Sequence, residues 1–220
     1  MLRELSKRAL TLDFILITHH HADHIGGIRR LKKEFPTAKV FGPGCGRIPC
    51  LDQIVSDGDK IDLGNLGSYQ ILEVPGHTTS HVAYYGEESL FIGDTVFAAG
   101  CGRLFEGTAT QMVTSFNKVR KLPLDTMIYC AHEYTLSNIR FAKEADPENI
   151  QLRNREEYCK NLRKQGIPTI PFTLEEELNT NPFFRCRSKE IQESASNYCG
   201  QIIDNEIDAF AVIRQWKNSF

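Results

Sequence analysis

No apolar run in this chain approaches the roughly 18 residues that a membrane-spanning helix requires, and its opening residues, MLRELSKRALTL, contain no apolar signal core. Leu2, Leu5 and Leu10 among basic residues are also a pattern of organellar presequences, but Glu4 and the direct run into FILIT favour a helix of the fold. Charge of one sign is lacking too: a formal net charge of −2 and a pI near 6.4 give no reason to expect nucleic acid or an acidic membrane as partner. The seven cysteines (Cys45, Cys50, Cys101, Cys130, Cys159, Cys186, Cys199) are an odd, scattered set with no CxxC pair. Reduced thiols in the cytoplasm are the simplest account. There is no internal repeat and no low-complexity stretch. At 220 residues the chain can bury one good core, or one core plus a small appended domain.

What is present is concentrated near the start. Thr18 to His24 reads THHHADH, which puts three candidate imidazole ligands (His19, His21, His24) and the carboxylate of Asp23 inside six positions. Such a crowd makes sense around something cationic, and a pair of metal ions is the reading it favours over a surface histidine run. The preceding FILIT, Phe14 to Thr18, has the β-branched, apolar character of a buried strand. If extended pairing persists to its end, His19 and His21 project from the same side. After His24, Ile25, Ile28 and Leu31 recur at helical spacing among Arg29, Arg30, Lys32, Lys33 and Glu34, an amphipathic helix. The cluster therefore sits where a strand gives way to a helix, a common position for a binding loop in α/β proteins.

Further along, strands are expected at Ala38 to Phe41, Tyr69 to Val74, Val82 to Tyr85, Ser89 to Ile92 and Thr126 to Cys130, separated by Gly, Pro and Asp turns. Thr108 with Gln111 reads as a capping box for a helix whose apolar face carries Met112, Phe116 and Val119, with Pro123 marking its end. Up to residue 133 this is one α/β layer structure; from Tyr134 the pattern is helical, over about 136–145, 148–165 and 205–217. The last helix has Asp204 or Asn205 as cap, Glu206 and Asp208 in its first turn, and Arg214 and Lys217 in its last, as the helix dipole favours. The tail from 134 to 220 is thus a small helical domain or cover.

Three more ligand candidates follow expected strands. These are His77 in PGHT, Asp94 in FIGDT, where Gly93 permits close backbone approach, and His132 in CAHEY. Singly, His77 or His132 reads as a satisfied core histidine and Asp94 as a turn cap. Their shared placement beside the first cluster favours the joint reading as ligands. His20 and His81 fall outside the pattern and suit supporting roles around the ligands.

In this order, THHHADH, PGHT, FIGDT, GCGRLFEGT and CAHEYT, with NPFFR at Asn181 to Arg185 and the terminal RQWKNSF, closely resemble the glyoxalase II (hydroxyacylglutathione hydrolase) enzymes of the metallo-β-lactamase-fold superfamily. The resemblance implies an αββα sandwich over 1–133 and a helical substrate-binding domain over 134–220. It implies two divalent metals, zinc first with iron or manganese as alternatives, one on His19, His21 and His77, the other on Asp23, His24 and His132, with Asp94 bridging. It further implies hydrolysis of S-D-lactoylglutathione to D-lactate and glutathione, by water activated between the metals, with Asp23 also orienting that water. Arg214 and Lys217, three apart on one helix, match the family's anchor for the glycine carboxylate; read alone they are a solvated, dipole-compensating helix end. Arg103 stands where the family often has lysine, and Tyr134 matches a substrate-contacting tyrosine. Phe105 departs from relatives that have tyrosine there and cannot donate a hydroxyl hydrogen bond.

A second departure is at the start, because family members usually have several strands before the helix that leads into THxHxDH. The sandwich is therefore expected to be N-terminally shortened, with an exposed sheet edge through which an otherwise monomeric chain could associate. The alternatives are a persulfide dioxygenase-like member of the same fold, which would use one iron and consume oxygen, and a truncated, non-catalytic metal-binding protein.

Overall fold

The computed structural model describes residues 1–220. A short helix α1 (Leu2–Lys7), none of whose residues is buried, precedes strand β1 (Phe14–Leu16), followed by helices α2 (Ala22–Ile25) and α3 (Ile28–Glu34). β1 runs parallel to β2 (Lys39–Pro43), which runs parallel to β3 (Gln53–Val55), a three-stranded sheet in which β1 and β3 are the outer strands. α3 covers one face of this sheet by burying Ile28 and Leu31 against Ile15, Ile17, Ala38 and Val40, the stripe its helical spacing anticipates.

A second sheet has six strands. β4 (Lys60–Asp62), β5 (Ser68–Glu73), β6 (Val82–Gly86) and β7 (Ser89–Gly93) form an antiparallel meander; β10 (Met127–Cys130) joins β7 in parallel. The hairpin β8 (Val96–Phe97) and β9 (Gly100–Cys101) lies between β7 and β10 in sequence. The two main sheets face each other through Phe41, Val55, Ile61, Ile71, Val82 and Tyr84. The buried Tyr84 hydroxyl donates to Ile17 O at 2.8 Å, so the large sheet holds the strand that leads into THHHADH.

Helix α4 (Ala109–Val119) carries the expected capping box, Thr108 and Gln111 each bonding the other's backbone, and buries Met112, Phe116 and Val119. α5 (Thr135–Ala145), α6 (Ile150–Lys164) and α9 (Glu206–Ser219) match the three helices read from the sequence to within a few residues. The sequence reading missed α7 (Leu174–Thr180), α8 (Lys189–Cys199) and the strand β11 (Phe172–Thr173), which pairs antiparallel with β10. The region after residue 134 therefore also contributes to the large sheet, and one 24-residue core cluster runs from Val74 through Phe116 and Ile128 to Phe210 and Ile213.

Glu177 on α7 is fully buried, lies 2.6 Å from Arg155 Nη2 on α6, and accepts from the Ala99 N–H at 3.1 Å and Asn181 Nδ2 at 2.6 Å. Asn181 also donates to Gly100 O at 2.9 Å. Removing one partner of a buried pair costs about 3–5 kcal/mol, so the helical region firmly fixes the β8–β9 turn. No helix is long and apolar enough to cross a membrane.

Candidate metal centre

The loop carrying THHHADH leaves the small sheet but stays tied to the large one, because the Val82 N–H donates to Thr18 O at 2.9 Å. His21 then adopts extended backbone as the N-cap of α2, which puts Asp23 and His24 in the helix's first turn. β1 ends at Leu16, short of the expected Thr18, and the loop beyond it still brings His19 and His21 together, with His19 Nε2 3.2 Å from His21 Nδ1. His77 enters after β5, its Nε2 3.0 Å from the same His21 nitrogen, while its Nδ1 donates to Arg103 O at 2.8 Å. That donation fixes the tautomer and leaves the Nε2 lone pair facing the cluster.

Asp94 follows β7 through Gly93, whose φ of 55° and whose missing Cβ, which would lie 2.4 Å from Thr18 Oγ1, make glycine the residue that fits there. Asp94 Oδ2 stands 3.6 Å from both His77 Nε2 and His132 Nε2, and Oδ1 stands 3.3 Å from His24 Nε2. His132 follows β10, and its Nε2 is 3.2 Å from Asp23 Oδ2, which also lies 3.3 Å from His24 Nε2. All seven candidate ligands thus come together, as the groups His19–His21–His77, His19–His24–Asp94 and Asp23–His24–His132, each with donor atoms within 4.8 Å of one another.

These contacts are not ordinary ion pairs. Burial pushes the His77 imidazole down to about 4 and lowers His19 and His24 as well, so these rings are neutral near pH 7. Burial also raises Asp94 to about 6, with His132 opposing. Burial works upward on Asp23 too, but its own backbone N–H and the neighbouring His24 and His132 outweigh it and the net direction is down. His24 Nε2 and Asp94 Oδ1 are buried without a hydrogen-bond partner despite their proximity. Three ring nitrogens within 3.2 Å of their neighbours and two orphaned buried atoms around one space fit a cation. Imidazole and carboxylate donors suit divalent zinc, iron or manganese.

The supporting histidines also find places. His81, fully buried, accepts from the Asp94 N–H at 3.2 Å, and His20 lies 3.2 Å from Glu106 Oε1.

Beside the ligands opens a cavity of about 380 Å³ that His77 and Asp94 share with all five residues expected to meet substrate: Arg103, Phe105, Tyr134, Arg214 and Lys217. Tyr134 stacks on His132 with ring centroids 5.2 Å apart, and Phe105 is edge-on to His77 at 5.3 Å. Arg214 is 4% exposed, donates to Cys101 O at 2.9 Å and lies over the Phe183 ring, so it is no solvated helix end. Lys217 bonds Asn138 Oδ1 and lies over the Phe141 ring. Burial, then the neighbouring Arg214, bring its ammonium down to about 7. Sequence reasoning missed Phe97 and Asn138 in this wall. Asn138 follows Tyr134 by four residues along the chain entering α5, and that spacing was the available signal.

Residues 2–44 and 44–132 match the family model described as Metallo-beta-lactamase superfamily, and residues 133–220 match Hydroxyacylglutathione hydrolase C-terminus. The chain is 48% identical over 220 residues to the Hydroxyacylglutathione hydrolase of Photobacterium profundum, covering 100% of this chain and 86% of that protein. It is 46% identical over 221 residues to the protein of that name from Aeromonas hydrophila subsp. hydrophila, covering 100% and 87%. Among solved structures, ETHE1 from Myxococcus xanthus superposes with a TM-score of 0.64 at 27% identity, over 86% of this chain and 71% of that one. The BLEG-1 B3 metallo-beta-lactamase gives 0.60 at 23% identity, over 83% and 82%, a likeness of fold.

Proposed function

The chain belongs to the hydroxyacylglutathione hydrolase family of metallo-β-lactamase-fold thioester hydrolases, and from that membership we propose that it cleaves S-D-lactoylglutathione and related S-acylglutathiones at a centre of two divalent ions. The observation that carries the reading is the position of Asp94, whose one oxygen stands 3.6 Å from a histidine of each flanking group, His77 and His132. His19, His21 and His77 would hold one ion, Asp23, His24 and His132 the other, and Asp94 both. When bound, such a pair lowers the pKa of water to near neutrality and polarises the thioester carbonyl.

The remaining work falls to the protein's own groups. Arg214 and Lys217 present two cationic heads to the cavity and suit the glycine carboxylate of glutathione. Arg103 and Tyr134 line the same wall and would orient the peptide. Phe97 and Phe105 give the cavity its apolar edges. Asp23, beside His24 and His132, would orient the attacking water. Water adds to the carbonyl carbon, the C–S bond breaks, and glutathione leaves as thiol beside the free carboxylic acid. The seven free cysteines accord with a reducing compartment, and a cytoplasmic monomer completes the proposal.

The test is hydrolysis of S-D-lactoylglutathione by the purified chain after metal analysis. D-lactate and glutathione in equal amounts, with no oxygen consumed, is the expected result. Protein that holds two metal equivalents and leaves the thioester intact would overturn it.

A further inference from the structure

We propose that Glu106 is a positioning residue for the His19–His21–His77 group, clamping the two loops that carry those histidines; the inference rests on the metal-centre reading above. Glu106 lies in the segment after β9 and makes no hydrogen bond or ion pair with any of the seven candidate ligands, yet its carboxylate gathers polar groups from three other segments. Oε2 accepts from the backbone N–H of Thr79 at 3.0 Å and from the Thr79 hydroxyl at 3.1 Å. Oε1 accepts from Arg47 Nη1 at 2.9 Å and lies 3.2 Å from His20 Nε2. Thr79 is two residues beyond His77, and His20 stands between His19 and His21. Arg47 comes from the loop that joins β2 to β3.

The backbone closes around the same contact. The Phe105 N–H donates to His77 O at 3.2 Å and the Gly107 N–H to Gly76 O at 3.1 Å, while His77 Nδ1 donates to Arg103 O. A Cβ at Gly107 would lie 2.6 Å from Gly76 O, so the two segments run as close as backbones can. The 103–107 segment thus fixes His77 through its main chain, and Glu106 carries the constraint across to the THHHADH loop. An isolated exposed pair is worth little. Here, one carboxylate accepts from a backbone amide, a hydroxyl and a guanidinium, bonds that hold geometry, and its Oε1 stands against the His20 ring. None of these contacts falls on Asp23, His24 or His132, and the one on the THHHADH loop is at His20, between His19 and His21, so the larger effect is expected on that side of the centre.

Partners bonded directly to metal ligands typically set affinity by about 10–100-fold, and Glu106 acts one step further out, at the lower end of that range. The experiment is zinc titration of the metal-free protein by calorimetry, with wild type, Glu106→Ala, Glu106→Gln, Arg47→Met and His132→Ala compared. The binding step that survives in His132→Ala is the one Glu106→Ala should weaken by about tenfold, leaving the other step within about threefold. Glu106→Gln should fall between, because an amide accepts on one side only and must turn its NH2 toward donors on the other. Arg47→Met, which removes one of the three hydrogen-bond donors, should weaken the same step by a few-fold. These two variants carry the test if Glu106→Ala does not fold. Unchanged binding in the variants, or equal weakening of both steps with a lower melting temperature of the metal-free protein, overturns the proposal. A wild type that binds a single equivalent instead counts against the two-ion reading, and Glu106 is then judged on that one step.

Discussion

The two sides of the candidate metal centre are built to different depths. His19 is fully buried and His77 is 4% exposed, whereas the side chain of Asp23 is 59% exposed and that of His132 is 30% exposed. The deep side is also braced, with Arg103 O on His77, Thr18 Oγ1 3.1 Å from His19, and Glu106 across the loops. The outer side leans on a stacked tyrosine, Tyr134, and on the last residues of β10. Pre-fixed neutral nitrogens in a low-dielectric site bind a cation with little reorganisation, while exposed ligands exchange with water. The difference teaches that the two proposed ions would not be equivalent, and that the outer one should be the first to leave.

The largest blow to that picture is to remove what the two sides share. Asp94→Ala should lower thioester hydrolysis about a thousandfold, since several kcal/mol of charge stabilisation depends on the bridge; full turnover with two bound ions would refute a bridging role. Next comes the asymmetry itself. His132→Ala should lose one metal equivalent and keep the other, while His19→Ala, which deletes a buried ring from the deep group, should lose the tighter equivalent. Metal analysis after gel filtration separates these outcomes, and identical losses in both variants would erase the distinction drawn here.

The recognition wall gives a smaller effect. Lys217→Met should raise KM about 10–100-fold, the worth of a charge-assisted bond, with kcat nearly unchanged. Because burial brings the Lys217 ammonium to about 7, its charge is present below that pH and lost above it, so KM should climb between about pH 7 and 9 in wild type and stay flat in Lys217→Met. The linked stability has a definite sign. The unfolded chain keeps this proton up to the ordinary lysine value, so the lysine's contribution to stability rises from about pH 7 toward 10.5. A KM that ignores pH in wild type would remove Lys217 as an anchor. The smallest expected change is Phe105→Tyr, which restores a hydroxyl at the mouth of the cavity and should lower KM by a few-fold, the net worth of one hydrogen bond.

How much of this was legible in sequence follows from the range of each interaction. THHHADH stands out as a candidate site because its four candidate ligands fall in one short window near a strand end, and His77, Asp94 and His132 because each comes within four residues of the end of a strand. The β3 and β4 segments, QIV and KID, are three residues long and half polar, too short to show alternation. β11, two residues long, exists only because β10 offers it an edge. The buried Glu177 gave no sign either, since LEEELNT reads as a solvated acidic helix until Arg155 and the Ala99 N–H are brought to it. Glu106 lies within GCGRLFEGT, but that motif shows no role for it because its donors Thr79 and Arg47 are 27 and 59 residues away in the chain.

The most direct test of the central claim is stepwise removal of metal from the zinc-loaded chain by a chelator, with metal content and S-D-lactoylglutathione hydrolysis followed together. The prediction is two ions leaving in separate steps, the first step absent in His132→Ala, and hydrolysis lost with that first ion. A chain that keeps full hydrolysis with a single ion bound would contradict it.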